Sequence, residues 1–200
     1  MSKVIDYYFS LISPWSYLGG DRLAEIARRH GAAINVKPVD YGRIFPASGG
    51  LPLAKRAPQR QAYRLVELRR WRDHLGADLK LEPQFFPVDE TLAAGMVAAV
   101  RLAGGDALPL SQALLRAVWA EERNIADRET LAAIAAAEGH DAEALLAAAE
   151  GPDARRARAD DTEEALARGV FGAPSYVYAG EIFWGQDRLD FLDRALAAGG

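Results

Sequence analysis

The chain has 200 residues, half of them apolar, which is enough for a sizeable core and suits one or two globular domains. A net charge of -4 argues against a nucleic-acid binder, which would carry a basic surface stripe. Cysteine is absent, which excludes disulfides, thiolate metal sites and any thiol chemistry of the protein's own, so sulfur used in a reaction must be borrowed.

Met1 to Asp6 has no apolar core of a leader segment, and no apolar run approaches the length of a bilayer, so a cytoplasmic protein without a membrane partner is expected. Lys3 to Ser10 is rich in β-branched and aromatic residues and reads as a buried strand. Ser13-Pro14 ends it, and Tyr17, Leu18, Leu23, Ile26 and Ala27 follow at helical spacing, up to a basic last turn, Arg28-Arg29-His30, and a terminal Gly31. Ala32 to Val39 reads as a second strand. Such a β-α-β unit is expected to pair its strands in parallel with a right-handed crossover.

Tyr41 to Pro58 has the composition of a long loop, with Gly42, Pro46, Gly49, Gly50, Pro52 and Pro58 as breakers. Loops of that length in a compact domain commonly bind something. Helical patterns then cover Gln59–Leu75, Asp89–Ala103, Leu108–Arg123, Asp127–Glu138, Asp141–Glu150 and Pro152–Arg168, with Pro83 and Pro87 in the one interruption. Arg155, Arg156 and Arg158 lie among Asp160, Asp161, Glu163 and Glu164, which reads as a solvated face of mixed charge. Ser175–Tyr178 and Glu181–Trp184 form a hairpin pattern around Ala179-Gly180, and Leu189, Phe191, Leu192 and Leu196 mark a final amphipathic helix.

Four places carry candidate chemistry. Ser13 is placed as the helix N-cap with Pro14 at N1, where unpaired N–H groups and the positive end of the helix dipole favour a thiolate or carboxylate. Local sequence leaves open whether Ser13 is a cap and nothing more. Pro174 either opens an edge strand or forms a cis peptide that turns Ala173 toward an extended ligand. Asp187 caps the last helix and is also placed to meet a ligand ammonium, while Lys55, Arg56 and Arg60 are surface charges or partners for a ligand carboxylate. His30 and His74 precede glycines at helix ends, no metal-ligand spacing occurs, and no metal is expected.

Strand-Ser13-Pro14-Trp15-Ser16-helix, a helical insertion, Gly172-Ala173-Pro174 before a hairpin, and Trp184-Gly185-Gln186-Asp187-Arg188 together resemble the 2-hydroxychromene-2-carboxylate isomerases. Phe86-Pro87-Val88 and Arg116-Ala117-Val118-Trp119 are also similar to family segments. The chain is similar as well to kappa-class glutathione transferases, and the likeness covers nearly all of it. It implies an α/β fold: a thioredoxin-like domain (βαβ…ββα) from residues 1–40 and 166–200, with a loop and a large all-helical insertion over 41–165.

It further implies that Ser-Pro-Trp-Ser stands where disulfide oxidoreductases carry Cys-Pro-x-Cys, with glutathione as the cofactor that supplies the sulfur. Ser13 would be catalytic, donating to that sulfur, and Ala173 with Pro174 would pair with the glutathione backbone. Gln186 and Asp187 would hold its γ-glutamyl end, and Pro14, Trp15, Gly50 and Arg60 complete the expected cofactor contacts. Family members carry an asparagine where this chain has Gly50. The implied activity is glutathione-dependent isomerisation of a small aromatic carboxylate, 2-hydroxychromene-2-carboxylate to trans-o-hydroxybenzylidenepyruvate, in aromatic catabolism, by a homodimer. A kappa-like transferase, or a redox-dead module that binds a peptide beside Pro174, stands as the alternative.

Overall fold

A computed structural model describes residues 2–199. Four strands form one sheet in the order β2-β1-β3-β4: β1 is Val4–Phe9, β2 Ala33–Pro38, β3 Ser175–Tyr178 and β4 Glu181–Trp184. β1 pairs in parallel with β2, and antiparallel to β3, which pairs antiparallel with β4. Helix α1 (Pro14–His30) makes the crossover between β1 and β2, as the first strand–helix–strand pattern requires. Ile5, Tyr7, Tyr8 and Phe9 are all buried, because β1 is a central strand with elements on both faces.

Helices α2 (Tyr41–Ser48), α3 (Pro58–Leu75), α4 (Thr91–Leu102), α5 (Leu108–Trp119), α6 (Arg128–Ala137), α7 (Ala142–Glu150) and α8 (Pro152–Ala167) lie between β2 and β3 in the chain. α9 (Leu189–Ala198) closes it. The larger core joins one face of the sheet to α1, α4, α5 and α9, while Tyr8, Val39, Tyr41, Ile44, Ala165, Val170 and Val177 form a second core on the other face. No helix among the described residues is long and apolar enough to cross a membrane.

Three expectations need correction. The stretch from Tyr41 to Pro58 is not one loop: α2 occupies its first half and a short 3-10 turn spans Leu53–Lys55. Asp40 caps α2 by accepting from the Gly42 N–H at 2.8 Å, and Tyr41 and Ile44 bury one helical face against the second core. Gly42 and Pro46 hide that face in the sequence. The helix from Leu108 stops at Trp119, because the Glu121 and Arg123 N–H groups fold back on the Arg116 and Ala117 carbonyls and Glu122 takes a positive φ of 53°.

Nor is α8 simply a solvated charged face. Arg155 and Arg156 are exposed, but Asp161 is buried in an ion pair with Arg101, and Arg158 is largely covered by Glu90. The helix turns opposite charges inward, where Arg101 on α4 satisfies Asp161 and Glu90, just ahead of α4, faces Arg158 at 3.5 Å.

Candidate active site

Ser13 accepts the Ser16 N–H on its Oγ at 3.2 Å, in the extended conformation that an N-cap takes (φ -93°, ψ 117°). Accepting leaves the hydroxyl hydrogen free to donate. Pro14 is buried at N1, Ser16 is fully buried, and the first turn of α1 carries no acid, so nothing on that turn competes with an incoming anion. Ser13 keeps 9% of its surface exposed and Trp15 is half-buried, whereas Ser16 reaches no solvent.

The turn before Ser13 is held from outside. Ser13 N–H donates to the Ser10 carbonyl at 3.1 Å, while Glu90 Oε2 accepts from Ser10 Oγ at 2.9 Å and from Leu11 N–H at 2.6 Å. Burial pushes the Glu90 carboxyl above its usual range, although Arg158 and these donors pull the other way. Glu90 escaped the sequence reading. The one signal for it is an acid placed two residues before the apolar run Leu92–Val100.

The second wall of the site follows from the sheet. Tyr8 pairs with Ser175, so the chain leaving β1 toward Ser13 and the chain entering β3 through Ala173 and Pro174 depart at the same end. The Ala173–Pro174 bond is cis. Neither the N–H nor the C=O of Ala173 is hydrogen-bonded to the described residues, so both are open to an extended ligand. Tyr41 donates its hydroxyl to the Gly172 carbonyl at 2.9 Å, and the Gly185 N–H donates to the Pro174 carbonyl at 2.8 Å, which ties α2 and the end of β4 to this segment.

Gln186 does not present its amide to the surface. It is buried, with Oε1 and its backbone carbonyl both accepting from the Arg22 guanidinium. Asp187 does not cap the last helix: Gln186–Arg188 is a 3-10 turn, α9 begins at Leu189 without a side-chain cap, and among the described residues the exposed Asp187 carboxylate pairs only with its neighbour Arg188, at 3.1 Å. A positive φ at Gly185 winds the chain directly into that turn, leaving the carboxylate clear of the α9 amides.

Gly50 lies under the Phe45 ring, where a Cβ would come within 2.5 Å, so it can offer only backbone. Arg60 is exposed in the first turn of α3. One turn on, Arg64 stacks its guanidinium 5.3 Å from the Phe86 ring centre and 5.7 Å from that of Trp119, and burial, with Arg56 nearby, pushes its pKa down to about 10. No carboxylate of the described residues lies within 4.0 Å of Arg56, Arg60 or Arg64. This stripe of uncompensated cations suits an anionic ligand. The structure thus brings the Ser13 turn, the Ala173-Pro174 segment and the Gly185–Asp187 turn together through one sheet end, while Gly50 and Arg60 sit on the connection that follows β2.

Known proteins share this fold. A family model described as a DSBA-like thioredoxin domain matches residues 4–197. The 2-hydroxychromene-2-carboxylate isomerase of Sphingobium xenophagum is 33% identical, over 98% of this chain and 99% of its own length. A solved structure of a 2-hydroxychromene-2-carboxylate isomerase superposes with a TM-score of 0.83 at 27% identity, covering 98% of this chain and 95% of that one. Glutathione S-transferase kappa 1 of Rattus norvegicus is 22% identical over 95% of this chain and 89% of its own.

Proposed function

Because the chain belongs to the 2-hydroxychromene-2-carboxylate isomerase family of DSBA-like thioredoxin domains, we propose that it is a glutathione-dependent isomerase of that substrate type. The observation that carries the reading is Ser13: a hydroxyl with its hydrogen free, at the start of α1, in a chain without cysteine. When bound, glutathione supplies a thiolate that adds reversibly to a conjugated enone and lets the former double bond rotate.

The chain's own groups do the rest. Ser13 Oγ donates to the sulfur and, with the Trp15 N–H and the positive end of the α1 dipole, favours its ionised form, as helix N-termini do for cysteine. The free N–H and C=O of Ala173 pair with the peptide backbone beside Pro174. Asp187 takes the ligand ammonium, whereas Gln186, locked to Arg22, fixes the turn that aims Asp187. Since Gly50 lacks a side chain, the glycyl carboxylate falls to Arg60, and Trp15 lines the approach to the sulfur. Arg64, desolvated against two aromatic rings, suits a flat aromatic carboxylate.

The domain division at residues 40 and 166, the homodimer and the cytoplasmic location belong to the same reading. Supplying glutathione with either 2-hydroxychromene-2-carboxylate or a chlorinated nitroarene tests the activity. Consumption of the chromene supports the isomerase. Consumption of the nitroarene alone would establish the transferase suggested by the kappa-class relative, and no glutathione binding by calorimetry would leave a peptide-binding module.

A further inference from the structure

Glu90 faces two ways. Its Oε2 holds Ser10 and Leu11, and its Oε1 pairs with Arg158 Nη2 at 3.5 Å. Arg158 in turn lines a cavity of about 550 Å³ between the start of α2, the start of α4, the end of α7 and the outer half of α8. Neither Ser13 nor Pro174 lines this cavity.

Arg158 is poorly satisfied there. Its side chain is only 17% exposed, its Nε is buried with no partner, and the contact to Glu90 is too long for a good hydrogen bond. A guanidinium taken out of water with open donors is costly, and an anion in the cavity would partner its terminal Nη groups, the part of Arg158 that is not sealed off. Of the acids on the wall, Glu150 pairs with Arg128, whereas Asp40 and Asp89 accept the Gly42 and Thr91 N–H groups and keep their charge; of the cations, Arg43 is paired with Glu163. Arg155 donates to the Glu150 carbonyl and pairs with no carboxylate of the described residues, and Arg158 has only the long contact to Glu90, so these two are the wall cations with charge left for a ligand. Leu92, Ala149 and Ala154 supply apolar surface between them, and the volume falls within the few hundred to about 1,000 Å³ of small-molecule sites.

We propose that this cavity is a second binding site, for a small organic carboxylate with an apolar body, held by the Arg158 guanidinium. The bound carboxylate shares the counter-ion of Glu90, so occupancy reaches the Leu11 amide and the turn that carries Ser13. The inference needs no glutathione and stands or falls separately from the isomerase reading.

Calorimetry of the glutathione-free protein with trans-cinnamate, and separately with inorganic phosphate, tests it. Cinnamate is expected to bind one to one, and Arg158→Gln to weaken it by about tenfold or more. Ala159→Phe, which leaves every charge in place and fills the cavity from α8, is expected to weaken it similarly, so a misfolded Arg158→Gln would not hide the result. In the wild-type protein, cinnamate should also shift the backbone amide resonance of Leu11. Undiminished binding in Ala159→Phe, phosphate binding tighter than cinnamate, or no cinnamate binding at all would each overturn the proposal.

Discussion

Two side chains, Ser13 and Glu90, meet at one turn and separate two kinds of effect. Ser13→Ala removes both the cap acceptor and the donor proposed for the sulfur. The cap is worth about 1 kcal/mol, which urea unfolding would register as a modest loss. Turnover with glutathione should fall by about a hundredfold, the scale for losing one preorganised donor to a developing charge. Steady-state kinetics with a retained unfolding transition would separate the two, and unchanged turnover would refute the role of Ser13. Glu90→Ala is expected to reverse the balance. It strands the Leu11 N–H, the Ser10 hydroxyl and the Arg158 guanidinium together, so a loss of about 3 kcal/mol in stability is expected from urea melts, the scale for breaking a buried ion pair.

At the level of elements, the contrast is between signals carried inside one segment and those carried between segments. α1 and the final hairpin were legible because each is punctuated locally: Ser13-Pro14 opens α1, Gly31 with φ 60° closes it, and Ala179-Gly180 turns the hairpin. The sheet end that gathers Ser13, Ala173, Pro174 and Asp187 was legible only through the family likeness, since no local rule pairs residues so far apart. α2 was hidden by its own Gly42 and Pro46, and Tyr41, Ile44 and Phe45 become meaningful only once Tyr8 and Val170 cover them. Glu90 and Ser10, eighty residues apart, belong to the same class.

α3 and α1 give two predictions at this scale. Arg60→Ala should raise KM for glutathione by about tenfold while kcat stays near the parent value, because a remote carboxylate contact contributes uniform binding. Equal KM values would assign that carboxylate elsewhere. Gly19→Ala would set a Cβ 2.6 Å from the Tyr176 hydroxyl and 3.0 Å from Gln186 Cβ, pressing α1 away from the Gln186 turn. A loss of about 1–3 kcal/mol is expected on unfolding, the scale of overpacking.

The whole molecule distributes its buried charge in two opposing sets, and pH should reveal both. Burial raises the Asp6 and Glu164 carboxyls, but Asn35 and Lys37 for Asp6, and Lys37 with Arg168 for Glu164, bring them below their ordinary 3.8 and 4.5. Their stabilisation is complete above those ordinary values and is lost as pH falls through the lower values of the folded state. Glu90 and Asp161 are raised instead, burial outweighing Arg158 and Arg101 respectively. For these two the folded chain binds the proton more tightly than the unfolded one, so the cost of their ionised forms is felt at neutral pH and relieved as pH falls through the raised values. The urea midpoint should therefore rise as pH falls from neutrality through the raised values of Glu90 and Asp161, and fall again once pH drops below the ordinary 3.8 and 4.5 of Asp6 and Glu164. Glu90→Gln should diminish the rise and keep the acid fall, whereas Asp6→Asn should diminish the fall and keep the rise. A midpoint that declines steadily from neutrality would mean that the burial of Glu90 and Asp161 is fully compensated by their arginines, and that the Ser13 turn rests on a permanently ionised carboxylate.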